Sequence, residues 1–222
     1  RDLHSFPTRR SSDLTVVSKV VSATPYGFHG QLIEIEGDIS RGLPGLQIVG
    51  LGNKAIDESR DRVRSAIKNS LLDFPKGKIT INLAPAELPK DGTQFDLPIA
   101  LAILCLGKQL PQTALEGALF AGELALNGSL RPIRSAITIA ETAKRHGIST
   151  IYLPASNSEQ ALLIPDITVI PINNLTELFL HLKQEKPIRP AVKTRQQYHQ
   201  KKRGIIKRFR SEEHTSELQS RT

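Results

Sequence analysis

Hydrophobic residues change their spacing several times along this chain, and each change marks a predicted element. Val16 to Ala23 and Gln31 to Ile39 read as strands, the second setting Leu32, Ile33 and Ile35 against Glu34 and Glu36. Leu46 to Gly50 reads as a third strand. From Lys54 to Leu71 the period lengthens to that of a helix. Ile56, Val63, Ile67 and Leu71 keep mostly to one stripe, with Asp57 and Glu58 at the positive end of the dipole and Lys68 near the other. Ile79, Ile81 and Leu83 then alternate with Thr80 and Asn82, a strand that Pro85 and Pro89 stop. From Asp96 to Gly107 the residues are apolar on every face, so this helix must be buried, with Asp96 expected to cap it and Pro98 in its first turn. The rest predicts strands at Leu119 to Leu124 and near Leu130, then a helix from Ser135 to His146 closed by Gly147. Ser149 to Leu153, Asn157 to Leu163, Ile167 to Pro171 and Leu175 to Leu182 complete a strand, helix, strand, helix ending. Strands and helices in this alternation predict a layered α+β domain, an α/β two-layer arrangement.

Composition changes the picture once it is located. Residues 1–14 and 210–222 show neither period nor turn logic, resemble translated sequencing-library adapter DNA, and are set aside from the fold. What remains is one domain at 15–182 and a basic linker or tail at 183–209. The net charge of +8 sits in that tail, which carries ten Lys and Arg against Glu185 alone, while 15–182 sums to −1. A nearly neutral body lacks the pervasive positive surface of a dedicated DNA-binding domain, so weak DNA contact is expected from two local features only. These are a helical face with Arg60, Arg62, Arg64 and Lys68, and the tail cluster Lys201, Lys202 and Arg203. A lone cysteine, Cys105, within the apolar helix suits a reducing compartment, and there is neither an 18-residue apolar run nor a cleavable signal. A cytoplasmic protein without membrane attachment is expected.

Motifs that would carry chemistry are incomplete. Gly50, Gly52 and Ala55 imitate a dinucleotide turn, but Leu83-Ala84-Pro85 stands where the ribose-binding acid belongs. No GxxxxGK[ST] loop is present, so this stretch is not expected to hydrolyse ATP by a P-loop mechanism. Ser65-Ala66-Ile67-Lys68 matches SxxK without its partner motifs. His29, His146 and His181 lack ligand spacing, so no metal site is expected. Asp91 and Asp96 flank one loop and read as turn and cap residues more readily than as paired catalytic carboxylates.

Four ordered blocks carry a family resemblance: Gly42 to Leu51, Glu58 to Ile67, Asn82 to Pro98, and Gly122 to Pro132. Together they resemble the N-terminal domain of the magnesium-chelatase-like AAA+ proteins, the ComM/YifB family. From Gly122 to Leu182 the chain also resembles the end of the Lon proteolytic domain, which implies the fold shared with the second domain of the small ribosomal subunit's protein five. The Lon pattern places a serine after Lys-Asp-Gly-Pro and a lysine five residues after the turn's proline. Here Lys90-Asp91-Gly92-Thr93 leads to Gln94, and five residues after Pro132 stands Ile137. Thr93 is the nearest hydroxyl and has no evident base, so no catalytic residue and no cofactor is expected here. The resemblance implies a non-catalytic accessory piece of an ATP-driven ring, a homo-hexamer acting on DNA in branch migration during natural transformation. Its partner would be its own AAA+ module, which would use ATP and Mg2+. The rival expectations are a Lon-like hydrolase and a magnesium chelatase subunit.

Overall fold

The computed structural model describes residues 17–27, 29–50, 53–88, 90 and 92–193, with 53–57 described by backbone alone. Val17–Tyr26 (β1) and His29–Ser40 (β2) form a long antiparallel hairpin, Val17 facing Asp38 and Tyr26 facing His29. Gly45–Val49 (β3) lies at one sheet edge, parallel to Lys78–Ala84 (β4), which in turn runs antiparallel to β2. Across β1 follow Ala118–Phe120 (β5), then Thr150–Pro154 and Thr168–Ile172, each parallel to its neighbour. Glu123–Leu124 (β6) and Leu130–Arg131 (β7) form a separate antiparallel pair. Thr150–Pro154 is thus β8 and Thr168–Ile172 is β9, and the main sheet runs β3-β4-β2-β1-β5-β8-β9. The helices are Asn53–Asn69 (α1), Asp96–Leu106 (α2), Ala136–Arg145 (α3), Ser158–Ala161 (α4) and Leu175–Leu182 (α5).

Alternation along the strands divides the core in two. Val20, Ile33, Ile35, Ile48, Ile79, Ile81, Leu83, Tyr152 and Ile170 join α1, α2 and α5 on one face. Ala23, Leu119, Ile151, Leu153 and Val169 point the other way, against α3 and α4. The parallel strands β5, β8 and β9 are therefore covered on both faces, as parallel sheets require. Along β2 and β4 one face stays polar. There Glu34, Glu36, Thr80 and Asn82 are partly exposed, Lys19 pairs with Glu34 at 2.8 Å, and the Asn82 amide donates to Glu36 at 3.0 Å. The α+β assignment holds, with a Lon-like layering.

Local differences from the sequence reading have physical causes. The single strand expected over Leu119 to Leu124 breaks at Gly122, whose N–H donates to the Gln94 carbonyl at 2.9 Å while its carbonyl accepts from Leu97 N–H at 3.0 Å. A Cβ at Gly122 would sit 2.9 Å from Leu130 Cδ2 and 3.3 Å from Leu97 Cδ2, so a larger residue here would have to push both leucines aside. Helix α1 stops two residues short of Leu71, which takes a left-handed φ of 58° while Leu72 N–H closes onto the Ile67 carbonyl at 3.2 Å. Asp96 does not cap α2. It is the first residue of the helix, Phe95 occupies the cap position without a side-chain bond, and the Asp96 carboxylate is engaged by another segment. Among the described residues no helix is long and apolar enough to cross a membrane.

Candidate functional site

Three elements meet where the sequence placed its incomplete active site: α1, the start of α2, and the β6–β7 pair. Ser59 and Arg62 lie three residues apart on α1 and share a face. Ser59 Oγ donates to Asp96 Oδ1 at 2.7 Å. Arg62 donates through Nε to Oδ2 at 2.7 Å and through Nη2 to Oδ1 at 3.2 Å. Leu124 N–H donates to Oδ2 at 3.3 Å, which ties the β6 strand to the same carboxylate. Asp96 is 1% exposed, and burial pushes its carboxyl above the ordinary value even though Arg62, Ser59 and Leu124 N–H all favour the charged form. The bond to Asp96 in turn holds the Arg62 guanidinium above its ordinary value.

A second cluster lies beside the first. Thr93 Oγ1 donates to Glu123 Oε2 at 2.5 Å, and Arg131 Nη1 lies 3.4 Å from Glu123 Oε1. Thr93 is therefore not without a carboxylate partner, a correction to the sequence reading that a separation of 30 residues had hidden. The same carboxylate also pairs with Arg131, so Glu123 ties Thr93 on one side to β7 on the other. Lys90 is 3% exposed, and its ammonium donates to the carbonyls of Pro85 and Leu88. Burial pulls its pKa below the ordinary lysine value, with Glu87 opposing. Its protons go to main-chain carbonyls, so it braces the loop. Gln94 is buried with its Nε2 unpartnered in the fold, while Ile137 on α3 is 42% exposed.

The expected DNA-contacting residues separate. Arg64 and Lys68 are exposed, with the Arg64 guanidinium over the Phe74 ring at 5.4 Å. Arg60 is partly exposed and lies 3.6 Å from Asp61. Arg62 turns away from them to Asp96 and Glu58. Lys201, Lys202 and Arg203 lie outside the described residues, as do Asp91 and Gly52. Gly50 adopts a positive φ of 96°, and a Cβ there would stand 2.7 Å from the Leu83 carbonyl oxygen, so close packing on β4 accounts for this glycine. Among the described residues no three His, Cys, Asp or Glu side chains gather as metal ligands.

A sheet of this order, with a buried Ser-Arg-Asp junction tying α1 to the start of α2 and to β6, is that of a Lon-like α+β domain. The chain belongs to the magnesium-chelatase-like family, since residues 35–157 match the family model described as subunit ChlI of Mg-chelatase. It is 50% identical over 137 residues to the uncharacterised protein YifB of Salmonella typhimurium, covering 62% of this chain and 27% of that one. It is 38% identical over 174 residues to the competence protein ComM of Haemophilus influenzae, covering 76% and 33%. More distantly, the Lon protease of Rhizobium meliloti is 25% identical over 173 residues, 72% of this chain and 21% of that protein. The chain spans about a third of the length of the ComM and YifB relatives it matches.

Proposed function

We propose that this chain is a non-catalytic accessory domain of a ComM/YifB-like AAA+ ATPase that acts on DNA, with branch migration during natural transformation as the process served. The observation that supports the reading is the use made of every reactive group at the Lon-like site. Gln94 and Ile137 stand at the dyad positions, Asp96 is held by Ser59 and Arg62, and Lys90 serves two carbonyls. The sequence holds no GxxxxGK[ST] phosphate loop to seat a nucleotide with Mg2+. ATP and Mg2+ would be held by a separate AAA+ module, assembled as a homo-hexamer. The rest of that ring would be the domain's partner, and DNA would touch it weakly.

The test is fluorescence anisotropy with a labelled single-stranded oligonucleotide at two salt concentrations. The 222-residue protein should bind at about 10–100 µM near physiological salt and release steeply as salt rises, the behaviour of unspecific phosphate contact. Ile188 and Ala191 hydrogen-bond to the domain, so the clean truncation falls after Lys193, which lowers the net charge from +8 to +3. It should remove most of the binding. Neutralising Arg60, Arg64 and Lys68 together should remove the remainder. Sub-micromolar, salt-insensitive binding by the truncated protein would contradict the proposal.

A further inference from the structure

The segment after α5 folds back across the β9 edge of the sheet and is held there at two points. Ile188 N–H donates to His181 Nδ1 at 2.8 Å, and Ala191 N–H donates to the Val169 carbonyl at 2.8 Å. Residues 183–186 still donate to the last turn of α5; beyond them Pro187 and Pro190 have no N–H, so within residues 187–191 only Ile188, Arg189 and Ala191 can donate, and two of the three are used. Ile188 packs on the core under α2 and α5, and Ala191 packs on the core under α3, so the strap grips both faces of the sheet. It also shields β9, an edge strand that would otherwise offer unpaired backbone groups.

We propose that His181 is an acid-sensitive clasp, holding the strap of residues 187–191 closed only while its ring is neutral. The tautomer follows from the bonds. A main-chain N–H donates to Nδ1, so Nδ1 must be bare, and the ring proton sits on Nε2, 3.2 Å from Tyr152 Oη. A second proton could enter only at Nδ1, where it would face the Ile188 N–H donor head on. Tyr152 cannot swing away to help, because its ring stacks on Phe120 at 4.6 Å in the core. The groups acting on the ring are Tyr152 from β8, the Ile188 N–H from the strap, and Glu177 on its own helix. Lys183 is engaged with Glu185 at 2.7 Å. Burial lowers the His181 pKa from the ordinary 6.5, more than Glu177 raises it. The closed strap therefore takes up a proton less readily than the open one. Closure is complete above about pH 6.5 and weakens as pH falls below that, by at most about tenfold per pH unit.

Amide exchange in the full 222-residue protein, corrected for its intrinsic pH dependence, reads the clasp directly. Protection of the Ile188 amide should fall between pH 7.5 and pH 5.0, by at most about thirtyfold, while amides of β1 and β2 keep theirs. In His181→Phe, which keeps an aromatic ring but has no acceptor, Ile188 should be weakly protected at both pH values. The 15N shifts of His181 in the unmodified protein give an independent reading that no folding defect can disturb, and should report the Nε2–H tautomer at pH 7.5. Constant Ile188 protection from pH 7.5 to 5.0, or a protonated Nδ1 at pH 7.5, would overturn the proposal.

Discussion

Leu101→Ala is expected to lower the unfolding free energy by about 2–5 kcal/mol. Leu101 has no exposed surface, and all eleven residues of α2 are buried. An amphipathic helix can slide or tilt to close a hole, at the expense of its wet face. Helix α2 has no wet face, being enclosed by β1 and β2 beneath and by α1 beside it, so a cavity at Leu101 would stay open. Against a typical domain stability of about 5–15 kcal/mol, the loss is a large share of the total. Urea denaturation followed by circular dichroism measures it as a lower midpoint at unchanged slope. An unchanged midpoint would place α2 at the surface.

The second large effect concerns Arg62. Replacing it by alanine strands the Asp96 carboxylate, which is 1% exposed, with only Ser59 Oγ and Leu124 N–H to satisfy it. Breaking a buried pair from one side costs about 3–5 kcal/mol, and the lower end applies here because Arg62 itself keeps 18% of its side chain in contact with water. Arg62→Leu combined with Asp96→Leu should recover most of the loss, since no charge is then left buried. The pH dependence fixes the cause. Without Arg62 the folded carboxyl is raised further above its unfolded value, so the folded variant binds a proton more readily than the unfolded chain. The deficit should therefore be greatest at neutral pH and shrink as pH falls into the carboxyl range. Midpoints of the variant and the parent measured at pH 7 and pH 5 check this. A deficit that grows on acidification would mean that Asp96 does not need its counter-ion.

What the sequence made legible was whatever a period can encode. The strand at Ile79, Ile81 and Leu83 and the all-apolar α2 were readable because alternation and its absence report burial directly. Partners across the fold were not. Asp96 resembled a cap because capping is the local use of an acid before an apolar helix, and the groups that claim it lie 34 and 37 residues earlier. The same holds for Thr93 and Glu123, joined only once Gly122 turns β6 toward α2. Arg62 carried a usable signal. Two residues along a helix is a rotation of about 200°, so Arg62 faces away from Arg60 and Arg64 and toward the side of Ser59. Proximity in sequence had grouped three arginines that helical geometry divides. Likewise, nothing in the polar, proline-bearing stretch after α5 announced a strap, because its two anchors are main-chain N–H groups.

If the Lon-like site has been given over to structure, a turnover assay on the 222-residue protein will find it inert. Casein and a panel of fluorogenic peptides, with and without ATP, should show no cleavage above a heat-killed control. Thr93 donates to a carboxylate that also pairs with Arg131, and Gln94 and Ile137, at the dyad positions, can act neither as nucleophile nor as base. Cleavage that rises with enzyme concentration and disappears in Thr93→Ala would contradict the account, and would make the Thr93–Glu123 pair a working active site.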